Sequence, residues 1–233
     1  MKAVRTVLLL VFLGASLVGF SETTLVSDTF DSSSMGRWMT VSGTWRAMNG
    51  RLYQTDTSER MAMITIPVRQ SGKVLYEFDV RYVAGGEDDY AGFGIHFCVN
   101  NPSKGRSWGN GDSYLAWLTW DPGTYGYPGG FAQIYDSEGP TDMDLFPEGD
   151  ILEDGDRFPI MVDYLKTEYL AYTVTVRVEL DTTTGNGYIY DPFDPYRYRF
   201  PFAMGQSVKA GGYFSFRTNS LAVSIDNFKV TKL

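Results

Sequence analysis

The sequence predicts an all-β protein, a two-sheet antiparallel β-sandwich of jelly-roll type, on three observations. Apolar and polar residues alternate with period two in segment after segment from Leu25 onward, and no stretch of helical period runs beyond about two turns. Aromatic residues make up 15% of the chain, with 16 Tyr and 15 Phe beside 25 Gly, which suits many short strands joined by tight turns. Cys98 is the only cysteine, so no internal disulfide can form and the fold has to be held by packing.

Taken in order, the chain begins with Lys2 and Arg5 followed by a nearly unbroken apolar run over residues 7–20, with the small pair Gly19 and Ser21 before Glu22. That pattern predicts a signal peptide over 1–21, cleaved before Glu22, and therefore an exported protein, periplasmic or extracellular. The run is too short for a spanning helix, so the mature chain is expected to carry no transmembrane segment. Residues 22–233 are then read as one domain.

A strand is expected over 60–68. Next, Val74, Tyr76, Phe78, Val80 and Tyr82 form one apolar face against Leu75, Glu77, Asp79 and Arg81, and Phe93, Ile95, Phe97 and Val99 repeat the device. Strands follow at 114–120 and 130–135. Val174, Val176, Val178 and Leu180 alternate with Thr173, Thr175, Arg177 and Glu179 and lead into Thr184-Gly185-Asn186-Gly187, a turn signal before Tyr188-Ile189-Tyr190; this is a hairpin. The last strands are expected at 197–202, 212–218 and 222–231. About a dozen amphipathic strands must pair as two sheets, each burying one face against the other. Three stretches, 100–113, 121–129 and 136–156, break the pattern and are where binding chemistry is expected.

The opening Asp28-Thr29-Phe30-Asp31, Trp38, Gly43-Thr44-Trp45 and Asn49-Gly50-Arg51-Leu52, the middle strand 71–81 and the closing Val223-Ser224-Ile225-Asp226-Asn227-Phe228-Lys229-Val230 together resemble the concanavalin A-like lectin and glucanase superfamily, from about residue 25 to the end. The resemblance implies a first strand, a G-x-W strand, a hairpin and a closing strand that pairs with the opening one. It is compatible with lectins, glycanases, lyases and noncatalytic modules. It also suggests a structural calcium joining the termini, for which Asp28, Asp31 and Asp226 are the residues to test.

Glucanases of that superfamily carry Glu-x-Asp-x-Glu on one strand. Glu77 and Asp79 supply two of the three carboxylates, but Arg81 stands where the acid belongs and cannot donate a proton near neutral pH. A surface ion-pair ladder is the expected reading. His96, the only histidine, and Cys98 fall on one side of a strand by alternation and are read as a half-buried face, since two residues do not make a metal site. No Gly-x-Ser-x-Gly elbow is present. Asp142, Asp144, Glu148, Asp150, Glu153, Asp154 and Asp156 form an acidic segment that fails the EF-hand template, because aligning Gly155 to its glycine puts Leu152 and Met161 at ligand positions. It is read as a solvated loop or a docking surface for a basic partner.

The formal net charge is -8, and loss of Lys2 and Arg5 makes the mature chain more acidic still, which argues against nucleic acid and anionic lipid as partners. Aromatics offer the best lead. Trp108, Tyr114, Trp117, Trp120, Tyr125 and Tyr127 crowd one stretch and Tyr188, Tyr190, Tyr196 and Tyr198 another. Flat rings with polar edges stack on a pyranose while nearby carboxylates bond its hydroxyls. The candidate carbohydrate-binding set is Trp108, Trp117, Trp120, Tyr125, Tyr127 and Tyr190 with Asp112 and Asp121. Alternation keeps Trp117 and Trp120 off a common face. Three functions remain open: a noncatalytic glycan-binding protein, a structural or assembly protein of a bacterial envelope or surface appendage that contacts other envelope proteins, and a glycoside hydrolase or lyase.

Overall fold

A computed structural model describes residues 22–31, 33–86, 91–103, 109–121, 129–139, 142–146, 158–159, 173–192, 194, 196–204, 208 and 211–233; for 119–121, 129–131, 146 and 158–159 this covers the course of the backbone. Apart from one 3-10 turn, Ser34–Arg37, the regular structure among the described residues is strand. Among these residues no helix is long and apolar enough to cross a membrane.

The strands form two antiparallel sheets. The first runs, in spatial order, β14 (Arg199–Ala203), β13 (Asn186–Tyr190), β12 (Val174–Asp181), β6 (Lys73–Gly85), β16 (Leu221–Lys232), β4 (Arg51–Gln54) and β3 (Trp45–Met48). β1 (Thr23–Asp28) pairs with the later half of β16, so the opening and closing strands of the chain meet, as the resemblance implied. The second sheet runs β10 (Asp142–Phe146), β9 (Gly129–Glu138), β8 (Ser113–Asp121), β7 (Gly92–Val99), β15 (Tyr213–Asn219), β5 (Ala62–Pro67) and β2 (Met39–Ser42), with β11 (Phe158–Pro159) on β9.

Alternation decides which residues go between the sheets. Val74, Tyr76, Phe78 and Val80 of β6 and Val174, Val176, Val178 and Leu180 of β12 face Phe93, Ile95 and Phe97 of β7 and Phe214 and Phe216 of β15 in one core. The aromatics form a chain of contacts through it. Phe30 meets Trp38 at 5.7 Å, Phe228 meets Phe214 at 4.6 Å, Tyr76 meets Phe97 at 5.5 Å, and Phe97 meets Tyr114 at 5.9 Å. Fully burying each such side chain contributes on the order of 1.5–3 kcal/mol, which lets a chain without disulfides hold two large sheets together.

The turn residues explain the opening motifs. Gly43 (φ 79°) carries the chain from the second sheet to the first, and a Cβ there would collide with Ala62, while Trp45 Nε1 donates to the Ser42 carbonyl at 2.9 Å. Asn49 and Gly50, at φ 54° and 70°, make the two-residue turn between β3 and β4. The hairpin of β12 and β13 turns at residues 182–185, slightly earlier than Thr184-Gly187. Gly187 instead lies in β13, where a Cβ would strike the Phe202 ring.

Two expectations are corrected. Residues 142–146, expected to lie in a loop, form β10, because Met143 and Leu145 alternate with Asp142 and Asp144. His96 and Cys98 do not share a side: Cys98 adopts φ 54°, the register with β15 shifts there, and the thiol enters the core while His96 faces outward.

Candidate functional site

The second sheet is curled, and its outward face is concave. Arg217 on β15 and Met143 on β10 are four strands apart, about 19 Å in a flat sheet, which is further than the two side chains reach together. Yet Arg217 Nη1 lies 3.6 Å from Met143 Sδ.

One row of side chains crosses this face: Met63, Arg217, Gly94, Trp117 and Gln133 are successive cross-strand partners. The two glycines of β7 make room for the indole. A Cβ on Gly92 or Gly94 would meet the Trp117 ring within 3 Å. Arg217 lies over that ring, 5.5 Å from its centroid, and Tyr135 Oη donates to Gln133 Oε1 at 2.9 Å. Burial pushes the guanidinium down to about 9, against the pull of Tyr135, which leaves it charged at neutral pH. Trp117 is only 6% exposed and Arg217 is buried, so these groups form the floor of the face.

Beside this row His96 Nδ1 lies 3.0 Å from Ser113 Oγ, whose own proton goes to the Asn110 carbonyl. His96 therefore donates from Nδ1 and turns its Nε2 lone pair toward Arg217 Nη1 at 3.4 Å. Burial and the neighbouring guanidinium hold the imidazole well below its ordinary pKa, so it stays neutral. Asn110 extends the network, donating from Nδ2 to Ser215 Oγ and from its backbone N–H to Ser137 Oγ. Asp112 closes this end: it accepts from Asn100 Nδ2 at 2.6 Å and from the Gly139 N–H at 3.2 Å.

Cys98 lies outside this network. Burial pushes its thiol up to about 12, with Tyr76 opposing. Cys98 is expected to resist alkylation in the folded protein and to react once denaturant exposes it, read as the mass added before and after unfolding.

The outward face of the first sheet holds the ladder expected around Glu77 and Asp79. Arg177 Nε pairs with Glu77 at 3.0 Å, and Asp79 accepts from Thr175 Oγ1 at 2.6 Å and Asn227 Nδ2 at 2.7 Å. Tyr190 is on this face, with Arg177 4.7 Å over its ring and its hydroxyl donating to Glu179 at 3.0 Å.

Asp28, Asp31 and Asp226, the residues the resemblance offers for a calcium at the termini, are engaged by protein donors. Asp28 is committed to the Phe30 N–H (2.8 Å), Trp38 Nε1 (2.9 Å) and Arg37 Nη2 (2.8 Å), Asp31 to Ser33 and Ser34, and Asp226 to Arg51 and Asn227. Among the described residues no three of His, Cys, Asp and Glu are grouped as metal ligands would be.

The carbohydrate-binding candidates therefore divide. Trp117 lies on the concave face, Tyr190 on the opposite sheet, and Asp112 and Asp121 flank or end β8, about 30 Å apart along an extended strand. Trp120 belongs to β8, and its side chain and that of Asp121 lie outside the described residues, as do Trp108, Tyr125, Tyr127 and most of the acidic segment. Sequence reasoning missed Arg217. The signals were the strand Tyr213, Ser215, Arg217, Asn219, polar on one face and aromatic on the other, and the paired glycines of β7 that leave room for a large ring.

No protein-family model matches this chain, and no curated protein matches its sequence. Solved structures do match. The carbohydrate-binding module CBM66 from Bacillus subtilis is 16% identical with a TM-score of 0.56, over 84% of this chain and 96% of that one. The exoplasmic/lumenal domain of VIP36, in a Ca2+/Man2-bound form, is 15% identical with a TM-score of 0.57, over 90% and 87%. A legume lectin-like domain from Entamoeba histolytica is 8% identical with a TM-score of 0.56, over 88% and 96%. The chain has the concanavalin A-like lectin fold.

Proposed function

We propose that this is an exported, noncatalytic carbohydrate-binding protein that takes a glycan along the concave side of its second sheet. The observation that carries the reading is the curled face itself, floored by the Trp117–Arg217 plate and edged by amide, hydroxyl and carboxylate groups, the mixture that sugar rings and their hydroxyls need. The matched solved structures support it: one is a carbohydrate-binding module and another is the exoplasmic/lumenal domain of VIP36 in a Ca2+/Man2-bound form.

Because the floor is buried, contact falls to groups at its edge, of which Asp112 beside the start of β8 is one; Trp108, Trp120, Asp121, Tyr125 and Tyr127 are the candidates the sequence adds. A ligand that touches both ends of β8 is an oligosaccharide of several units, since one pyranose is far shorter than the strand.

The test is a glycan array probed with the chain from residue 22 onward, with and without calcium, beside Trp120→Ala. Retention on defined glycans that the substitution abolishes is the expected result. Retention lost on chelation would add a calcium requirement. No retention in either condition would overturn the reading in favour of an envelope-protein partner.

A further inference from the structure

Among the described residues, the sheet face left in water is the outward side of the first sheet. Lys73, Thr175 and Arg199 on it are exposed and Glu77, Arg177 and Tyr190 half-buried, whereas the floor of the concave face is buried. Its charges alternate from strand to strand. Lys73 of β6 is the cross-strand partner of Asp181 on β12, and Glu77 of β6 stands between Arg177 on β12 and Lys229 on β16. The chain as a whole carries a net charge of -8, so a surface where bases match acids is where a second copy approaches with the least repulsion.

The side chains of this face are preordered. Arg199 lies 4.2 Å over the Tyr188 ring and Arg177 4.7 Å over that of Tyr190, so a guanidinium competes with a sugar for each ring. Arg177 Nε also pairs with Glu77 at 3.0 Å, and Tyr190 Oη donates to Glu179 at 3.0 Å. Groups already held in place lose little freedom on contact, and Tyr and Arg are among the residues that carry most of the binding energy between proteins. The area suffices as well. The six strands from β14 to β4 span about 29 Å and the eight residues of β12 about 26 Å, a face of about 750 Å2, close to the roughly 800 Å2 per partner of a stable interface.

We propose that this face is a dimer interface, and that its partner is a second copy of the same chain docked about a two-fold axis along the seam between β6 and β12. Three strands, β12, β13 and β14, lie on one side of that seam and β6, β16 and β4 on the other. The axis sets β6 of each copy over β12 of the other and β16 over β13, with strands near alignment as stacked sheets prefer. Cross-strand partners within a copy then become facing pairs between copies. Glu77 meets the second copy's Arg177, Lys73 meets its Asp181, and Lys229 meets the Tyr190 ring, each contact occurring twice. Such a dimer turns its two concave faces outward on opposite sides, so a glycan binder built this way holds two stretches of polysaccharide at once.

The test is sedimentation velocity over a concentration series up to about 100 μM, without glycan, so that dimerisation and sugar binding stand or fall separately. Wild-type protein should sediment as a dimer. Glu77→Arg and Arg177→Glu each set like charges against one another across the axis, so each alone should dimerise at least about tenfold more weakly. Mixed in equal amounts, the two variants place opposite charges face to face and should recover the dimer. The exchanged double variant Glu77→Arg/Arg177→Glu keeps an ion pair within each copy and between copies, and should dimerise like wild type even where a single reversal impairs folding. A wild-type protein that stays monomeric throughout the series overturns the proposal. So do single variants that dimerise as tightly as wild type, which would put the interface elsewhere, and a mixture that stays monomeric, which would show that Glu77 and Arg177 do not face each other across the axis.

Discussion

Phe228→Ala should lower the free energy of unfolding by about 3–5 kcal/mol, the cost of deleting a fully buried ring that its surroundings cannot replace. Phe228 projects from β16 of the first sheet and touches Phe214 at 4.6 Å and Phe216 at 5.1 Å on the second sheet, as well as Trp38 at 5.4 Å. It therefore joins both layers and the 3-10 segment at one point. Its direction comes from the backbone: Asn227 adopts φ 49°, the register with β6 shifts between Asp226 and Lys229, and the strand regains an inward-facing side chain at 228. For a domain of this size the thermal midpoint should fall by about 10 °C. Urea unfolding is the check. The midpoint concentration should drop with the slope unchanged, and a loss under about 1 kcal/mol would mean that the neighbouring rings close over the space.

The architecture was legible wherever side chains alternate without interruption. Val74 to Val80 and Val174 to Leu180 bury alternate residues because a pleated strand offers no other arrangement. The Asn49-Gly50 turn was legible for a comparable reason, since both residues accept positive φ. Illegible were the places where one residue overrides the period. At Cys98 a single positive φ moves the thiol into the core and leaves His96 outside, and nothing in the residue type announces it. β10 was hidden by its own acids: Asp142 and Asp144 oppose Glu138 and Asp136 across the ladder, like charges that a strand assignment normally avoids. The candidate site was the least legible part. Residues near one another in sequence, Asp112 and Asp121, are held apart by the strand between them, and Trp117 finds its partner Arg217 a hundred residues away.

The other large effect concerns Asp28, offered by the sequence as a metal ligand and used by the structure as an acceptor. Its side chain is 1% exposed, and it receives the Phe30 N–H, the indole of Trp38 and the half-exposed Arg37. Burial alone would raise the pKa of the carboxyl. The bonds from Ser34, Trp38 and Phe30, with the charge of Arg37, outweigh it and hold the group below the ordinary carboxylate value. The folded state thus binds the proton less readily than the unfolded one. The stability this confers is fully present above the unfolded value, about 3.9, and disappears as pH falls through the lower folded value. Asp28→Ala should cost about 2–4 kcal/mol at pH 7, because two buried donors, the Phe30 N–H and Trp38 Nε1–H, lose their acceptor. Asp28→Asn keeps an oxygen in place and removes the charge, so it should cost less and lose this contribution to the pH dependence. Urea unfolding at pH 7 and at pH 3 separates the two effects. The gap between wild type and Asp28→Asn should narrow on acidification, whereas a gap of equal width at both pH values would show that shape rather than charge makes this aspartate matter where the chain's first strand meets its last.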